Sequence, residues 1–156
     1  MMYQRILVPV DGSPTSDKGL QEAISLAKLS GGRICVLHVV DDLPFLLSGD
    51  GYGSATLSGD LLGMLSEAGE RILADAQGRA QHAGVPVERA LHESLQGRLC
   101  DRVVQQIGDW KADLVVLGTH GRRGVRRLVL GSDAEEILRV ATVPVLLVRG
   151  EETLAA

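Results

Sequence analysis

The sequence is poor in the residues that mark several common chemistries. It holds two cysteines, four aromatic residues and three lysines. Cys35 and Cys100 lie far apart and in no Cys-x-x-Cys spacing, so they read as reduced core thiols rather than a disulfide or a metal site. No grouping of histidine, cysteine and acid has metal-ligand spacing. Trp110, Phe45, Tyr3 and Tyr52 form no stacking set for bases. Twenty acids against sixteen bases give a net charge of −4, which opposes general binding to nucleic acid or an anionic membrane. No run approaches the ~20 apolar residues of a membrane-spanning helix. The start, Met1-Met2-Tyr3-Gln4-Arg5, leads into five apolar residues before Asp11, too few for a signal sequence. A cytoplasmic protein without nucleic-acid or membrane partners is expected.

What is present suits one soluble domain over 1–156, with 45% apolar and 23% charged residues. Five short apolar runs predict strands: Arg5–Val10, Arg33–Val40, Val87–Leu91, Leu114–Leu117 and Val145–Val148. Four are near-continuous, as expected for parallel strands buried on both faces. Val87–Leu91 is more polar and is placed at an edge. Between the strands, Leu20, Ala23, Ile24 and Ala27 recur at helical spacing, with Ser13-Pro14 opening that helix and Gly31-Gly32 ending it. Leu65, Ala68, Ile72 and Ala76 predict a second helix that stops near Gly84, with Pro86 beyond. Leu95, Leu99, Val103 and Ile107 predict a third, and Ala134, Ile137, Leu138 and Ala141 a fourth. This alternation predicts an α/β fold with a parallel sheet. Residues 41–60, rich in glycine and serine, are expected to form a long flexible loop, and 150–156 a C-terminal tail.

Glycine is abundant, at 19 residues. In open α/β sheets ligands bind outside the carboxyl ends of strands. Two predicted strand ends carry glycine with polar residues: Asp11-Gly12-Ser13, and Gly118-Thr119-His120-Gly121. From the second the chain runs through Arg122, Arg123, Arg126 and Arg127 to Gly131-Ser132 at the predicted start of the last helix. Glycines let backbone N–H groups approach an anion, and a helix N-terminus favours phosphate. The spacing Gly118-x2-Gly121-x9-Gly131-Ser132 is thus a physically sensible phosphate cradle. Read alone, the glycines also suit plain turns, Ser132 a helix cap, and the arginines a solvated face or dimer contacts. His38 and His120 read as core or loop histidines.

Ile-Leu-Val-Pro-Val-Asp-Gly-Ser at 6–13, Leu-His-Val-Val at 37–40, Gly-Thr-His-Gly at 118–121 and Gly-Ser at 131–132, in that order, resemble the universal stress protein family and its ATP-binding branch. The resemblance runs from Gln4 to Arg149. It implies a Rossmann-like open five-stranded parallel sheet in order 3-2-1-4-5, with helices on both faces. It implies a homodimer through Val145–Val148 and a bound adenine nucleotide: ATP, with or without Mg, or ADP or AMP. Carried over by position, Asp11 faces the ribose, Val39 holds adenine through its backbone, and Pro9 flanks it. Gly118, Gly121, Gly131 and Ser132 surround ribose and phosphates, and the N–H of Asp133 adds a donor.

Asp133 departs from the small or apolar residue usual there, and Glu135 and Glu136 follow it. Ser132-Asp133-Ala134-Glu135 reads as a capping box, and its acids oppose a phosphate. Arg122 and its neighbouring arginines, or a divalent ion, can offset that repulsion. The chain lacks the Gly-x4-Gly-Lys-Ser/Thr loop of phosphoryl-transfer enzymes. It also lacks Gly-x-Gly-x-x-Gly after the first strand, the mark of a dinucleotide-binding dehydrogenase. The expected function is ATP binding in a regulatory stress-response module, with at most slow hydrolysis. The alternatives are a nucleotide-free interaction protein of the same family, or a slow ATPase or autokinase.

Overall fold

The computed structural model describes residues 2–41, 55–94, 97–119 and 130–150. Along the chain run β1 (Arg5–Pro9), α1 (Pro14–Ser30), β2 (Arg33–Asp41), α2 (Ala55–His82), β3 (Val87–Ser94), α3 (Leu99–Trp110), β4 (Leu114–Gly118), α4 (Ser132–Val140) and β5 (Val145–Val148). The strands form one parallel sheet in the order β3-β2-β1-β4-β5. Val87–Ser94 is the edge strand its polarity predicts.

The order explains the layers. From β1 the chain builds outward to β2 and β3, then returns across the sheet to β4 and β5. Crossovers of one hand that run in opposite directions put their helices on opposite faces. Accordingly Leu20, Ala23, Ile24 and Ala27 of α1 and Leu73, Ala76 and Ala80 of α2 bury Ile6, Val8, Ile34 and Val36. Cys100, Val103 and Ile107 of α3 and Ala134 and Ile137 of α4 bury Leu7, Cys35, Leu37 and Val115 on the other side. Residues 6, 7 and 8 of β1 are wholly buried, which is why that strand reads as a continuous apolar run.

Helix ends follow local chemistry. Ser13 caps α1, its hydroxyl accepting the Ser16 N–H at 3.2 Å, and Pro14 takes the first position, where no donor is needed. Gly31 closes the helix at φ 68°, a left-handed conformation that glycine adopts without strain. Three expectations need correction. Of the loop expected over 41–60, Asp41 belongs to β2 and 55–60 to α2. Leu57, Leu61 and Leu65 continue the four-residue spacing of that helix, and Gly59 does not break it; residues 42–54 lie outside the described residues. Helix α3 begins at Leu99, and Leu95 lies outside them too. Leu138, expected on the buried face of α4, is 46% exposed.

Both cysteines are free and buried. Cys35 pairs in register with Glu88 of β3, and burial, followed by the charge of Glu88, pushes its thiol up from 9.0 to about 11. The unfolded chain therefore ionises first. The stability held in the protonated thiol is complete below pH ~9 and lost as pH rises through about 11. Urea unfolding of Cys35→Ala should show a shallower loss of stability over that window than wild type; parallel curves would contradict this.

Gly118 ends β4 against the first turn of α1. A Cβ there would lie 2.6 Å from Thr15 Cγ2 and 2.8 Å from the Thr15 carbonyl oxygen, and the carbonyl cannot rotate aside. Gly118→Ala should cost about 1–3 kcal/mol of stability, read by urea unfolding. An unchanged midpoint would show that α1 is free to shift.

Candidate functional site

At the C-terminal end of the sheet, the connections from β1 and β4 leave in opposite directions, the place where open α/β sheets form a ligand crevice. The β1–β2 register runs from Arg5↔Arg33 to Pro9↔Leu37, whereas β1 and β4 share only Ile6↔Leu114 and Leu7↔Val115. Alternation gives the reason. Gln4 accepts from Arg33 of β2, Arg5 accepts from Asp113 beside β4, and the Val10 N–H donates to Leu37 of β2. Even residues of β1 thus bond toward β2 and odd ones toward β4. Pro9 falls on a position whose N–H would face β4, and it has none.

Past Pro9 the chain turns sharply. The Asp11 carboxylate accepts the Ser13 N–H at 2.8 Å, and the Asp11 N–H donates to the Ser16 hydroxyl at 3.2 Å. Gly12 between them has φ 79°. Asp11 therefore shapes the turn as well as standing half-buried at the crevice.

Strand β2 continues beyond the point where β1 leaves it. Its odd residues face β1, since the Arg33 N–H donates to Gln4 and the Leu37 carbonyl accepts from Val10. Val39 is the next odd residue, so its N–H and C=O both point to the side that β1 has vacated. The Val10 carbonyl, which a continuing ladder would pair with the Val39 N–H, takes the His38 Nδ1 instead, at 2.7 Å. The Val39 side chain packs on the α3–α4 core, which holds this backbone edge at the crevice.

Across the crevice, Thr119 ties the end of β4 to its surroundings. Its N–H donates to Val148, and its carbonyl accepts the Gly131 N–H at 2.8 Å, placing the start of α4 beside the strand end. Gly131, not Ser132, is the N-cap of α4, and no side chain caps it. The expected capping box is therefore absent. Ser132 is the first helical residue, with an exposed side chain, as is Asp133. The cap residue thus supplies no side-chain acceptor to the first-turn N–H groups, and a helix terminus is where an anion is favoured. Glu135 is held by Arg139 at 3.0 Å and Glu136 by Arg98 at 3.5 Å. These exposed pairs add little stability, yet they set a cation beside Glu135 and Glu136 near the helix start.

The structure thus brings Pro9, Asp11, Val39, Gly118, Gly131, Ser132 and Asp133 to one end of the sheet. Gly121, Arg122, Arg123, Arg126, Arg127 and His120 lie outside the described residues. Three further residues shape the site. Thr15 packs on Gly118, the 8%-exposed Thr119 links β4 to α4, and His38 holds Val10. The last alone had a sequence signal, a histidine in an otherwise apolar run. A separate groove of about 600 Å³ lies between α1 and α2, lined by Ile24, Lys28, Asp75, Arg79 and others. It is on the flank of the sheet, with the Asp17–Arg79 ion pair beside it. It presents no set of backbone donors, so the crevice is the better candidate.

The model of the Universal stress protein family matches residues 2–149. A universal stress protein of Thermus aquaticus is 35% identical, the match covering 95% of this chain and 100% of that protein. One from Methanocaldococcus jannaschii is 34% identical, over 95% and 83%. Among solved structures, a universal stress protein family member from Burkholderia pseudomallei has a TM-score of 0.73 at 30% identity, covering 94% and 96% of the two chains. The protein MJ0577 superposes at 0.82 with 22% identity, over 97% and 99%. More distant folds include a universal stress protein in complex with cAMP, at 0.66 and 23% identity over 96% and 98%. An Arabidopsis thaliana family member with AMP bound superposes at 0.67 with 16% identity over 95% and 92%.

Caps and ligand groups separate by stability. Ser13→Ala should cost about 1 kcal/mol, whereas Ser132→Ala should leave the urea midpoint unchanged, because its hydroxyl does not cap α4. A similar loss in both would restore Ser132 to the capping role.

Proposed function

The chain belongs to the universal stress protein family, and from that premise we propose that it binds an adenine nucleotide in the β1–β4 crevice as a regulatory stress-response module. The observation that carries the reading is the backbone edge of Val39, directed at the space β1 has left. Adenine offers an acceptor at N1 and a donor at its 6-amino group, the complement of one residue's N–H and C=O. Asp11 accepts a ribose hydroxyl, and Pro9 flanks the base. Phosphates lie at the start of α4, on the N–H groups of Ser132 and Asp133 and the Ser132 hydroxyl. Gly118, Gly121 and Gly131 give the backbone close approach, and Arg122 adds a charge-assisted contact. The cAMP and AMP held by two structural relatives support this class of ligand.

ATP is the proposed ligand; were Mg²⁺ bound with it, Asp133 would be the residue to hold the ion, which would offset the negative charge of the phosphates. Among the described residues no group of three histidines, cysteines or acids could hold a metal; Mg²⁺ is commonly held by one or two carboxylates together with substrate phosphates. The protein acts in the cytoplasm as a homodimer through β5. Among the described residues that strand pairs only with β4, and Leu138, Val140 and Leu146 nearby are 46%, 42% and 38% exposed. No described helix is long and apolar enough to cross a membrane.

Isothermal titration of nucleotide-stripped protein with ATP, AMP and cAMP, with and without Mg²⁺, tests the reading. Binding is expected, weakened about tenfold or more in Asp11→Ala, because a hydrogen bond to a charged group is lost. ATP binding that strengthens with Mg²⁺ would support that role of Asp133. No heat with any nucleotide would overturn the reading in favour of a nucleotide-free interaction protein.

A further inference from the structure

The site owes its open Val39 edge to a neighbouring side chain. Opposite Val39 is the carbonyl of Val10, the acceptor a continuing parallel ladder would use. A carbonyl can only accept, so the 2.7 Å contact from His38 requires a proton on Nδ1. The ring has a prepared seat. A Cβ on Gly69 of α2 would lie 2.7 Å from His38 Cδ2 and 3.1 Å from a Leu91 methyl. Glycine inside a helix costs about 1 kcal/mol against alanine, and here it admits the imidazole. Gly12, at φ 79°, turns the chain away before its own N–H can reach the Val39 carbonyl. Both polar groups of Val39 are thereby withheld from the sheet.

We propose that His38 is a positioning residue for base recognition: by holding the Val10 carbonyl it keeps the Val39 N–H, beside the C=O that the Gly12 turn leaves, open to the edge of a six-aminopurine. The imidazole touches no ligand; it prevents the strand from closing on the groups that read the base. This rests on the adenine-nucleotide reading of the crevice, and it adds what sets the choice of base. A purine with a 6-oxo group reverses the donor and acceptor and mismatches the same edge.

The test compares wild type with His38→Leu, which fills similar space without a donor, and His38→Asn, whose amide N–H replaces Nδ1–H. Affinities for AMP, IMP and ribose 5-phosphate are measured on each. In His38→Leu, AMP should weaken about 3- to 10-fold, the range of one hydrogen bond. Ribose 5-phosphate should be unaffected, so the preference for AMP over IMP falls. His38→Asn should recover most of that preference. Equal weakening of AMP and ribose 5-phosphate, or an unchanged preference in His38→Leu, would overturn the proposal.

Amide hydrogen exchange on the nucleotide-free protein supplies a readout that needs no ligand. In wild type the Val39 amide should exchange about tenfold or more faster than that of Leu37, which lies within the ladder. In His38→Leu it should slow as the N–H closes on the Val10 carbonyl. Should wild type bind no AMP, the nucleotide reading fails, and exchange decides the role of His38 alone. A Val39 amide as protected as Leu37 in wild type overturns it, even if the Leu variant does not fold.

Discussion

At Pro9 the central strand reaches a residue that cannot donate toward β4, and one residue later its last backbone bond, Val10 to Leu37, ends the ladder with β2. The neighbouring strands do not stop there: β2 continues to Asp41 and β4 to Gly118. The local loss of pairing coincides with the reversal of chain direction between β1 and β4, the point where helices from the two faces diverge. A buried strand normally cannot end short of its neighbours, because unpaired backbone polar groups are costly away from water. Here the cost is met by the turn of Asp11 and Ser13, by the His38 ring on Val10, and by a crevice that a polar ligand can enter.

Several residues at that crevice serve two masters. Gly118 stands at the proposed site, yet the contact with Thr15 would demand glycine even without a ligand. Asp11 directs the chain into α1 through the Ser13 N–H and presents a carboxylate to the crevice. The acids of α4 complement its dipole and would repel phosphate, but Arg139 and Arg98 draw Glu135 and Glu136 into ion pairs. Two of the acids that sequence alone sets against an anion are thus drawn into ion pairs.

Much of this was legible beforehand, for physical reasons. Continuous apolar runs mark strands buried on both faces, and the polar run at 87–91 marks the edge. Ser13-Pro14 and Gly31 bound α1 by chemistry that acts within a few residues. What was hidden depended on distant contacts or on equal local preferences. Ser132-x-x-Glu135 has the letters of a capping box, but the Gly131 N–H is taken by Thr119 and the cap falls one residue earlier. Glycine at 59 suggests a loop, but the helix runs through it from Ala55. His38 was visible as a histidine in an apolar strand; its partner, the end of β1, is 28 positions away in sequence. Thr15 gave no local signal, since its importance lies in the glycines it packs against.

The central claim is that the vacated edge of β2, the Asp11 turn and the start of α4 form one adenine-nucleotide site. Amide chemical shifts recorded as AMP is added to the nucleotide-free protein test it most directly. The account predicts that the Gly12, Val39, Gly118, Ser132 and Asp133 amides move together along one saturable curve, while Lys28, Gly78 and Arg79 in the α1–α2 groove stay still. Shifts confined to that groove, or none at saturating AMP, would contradict it.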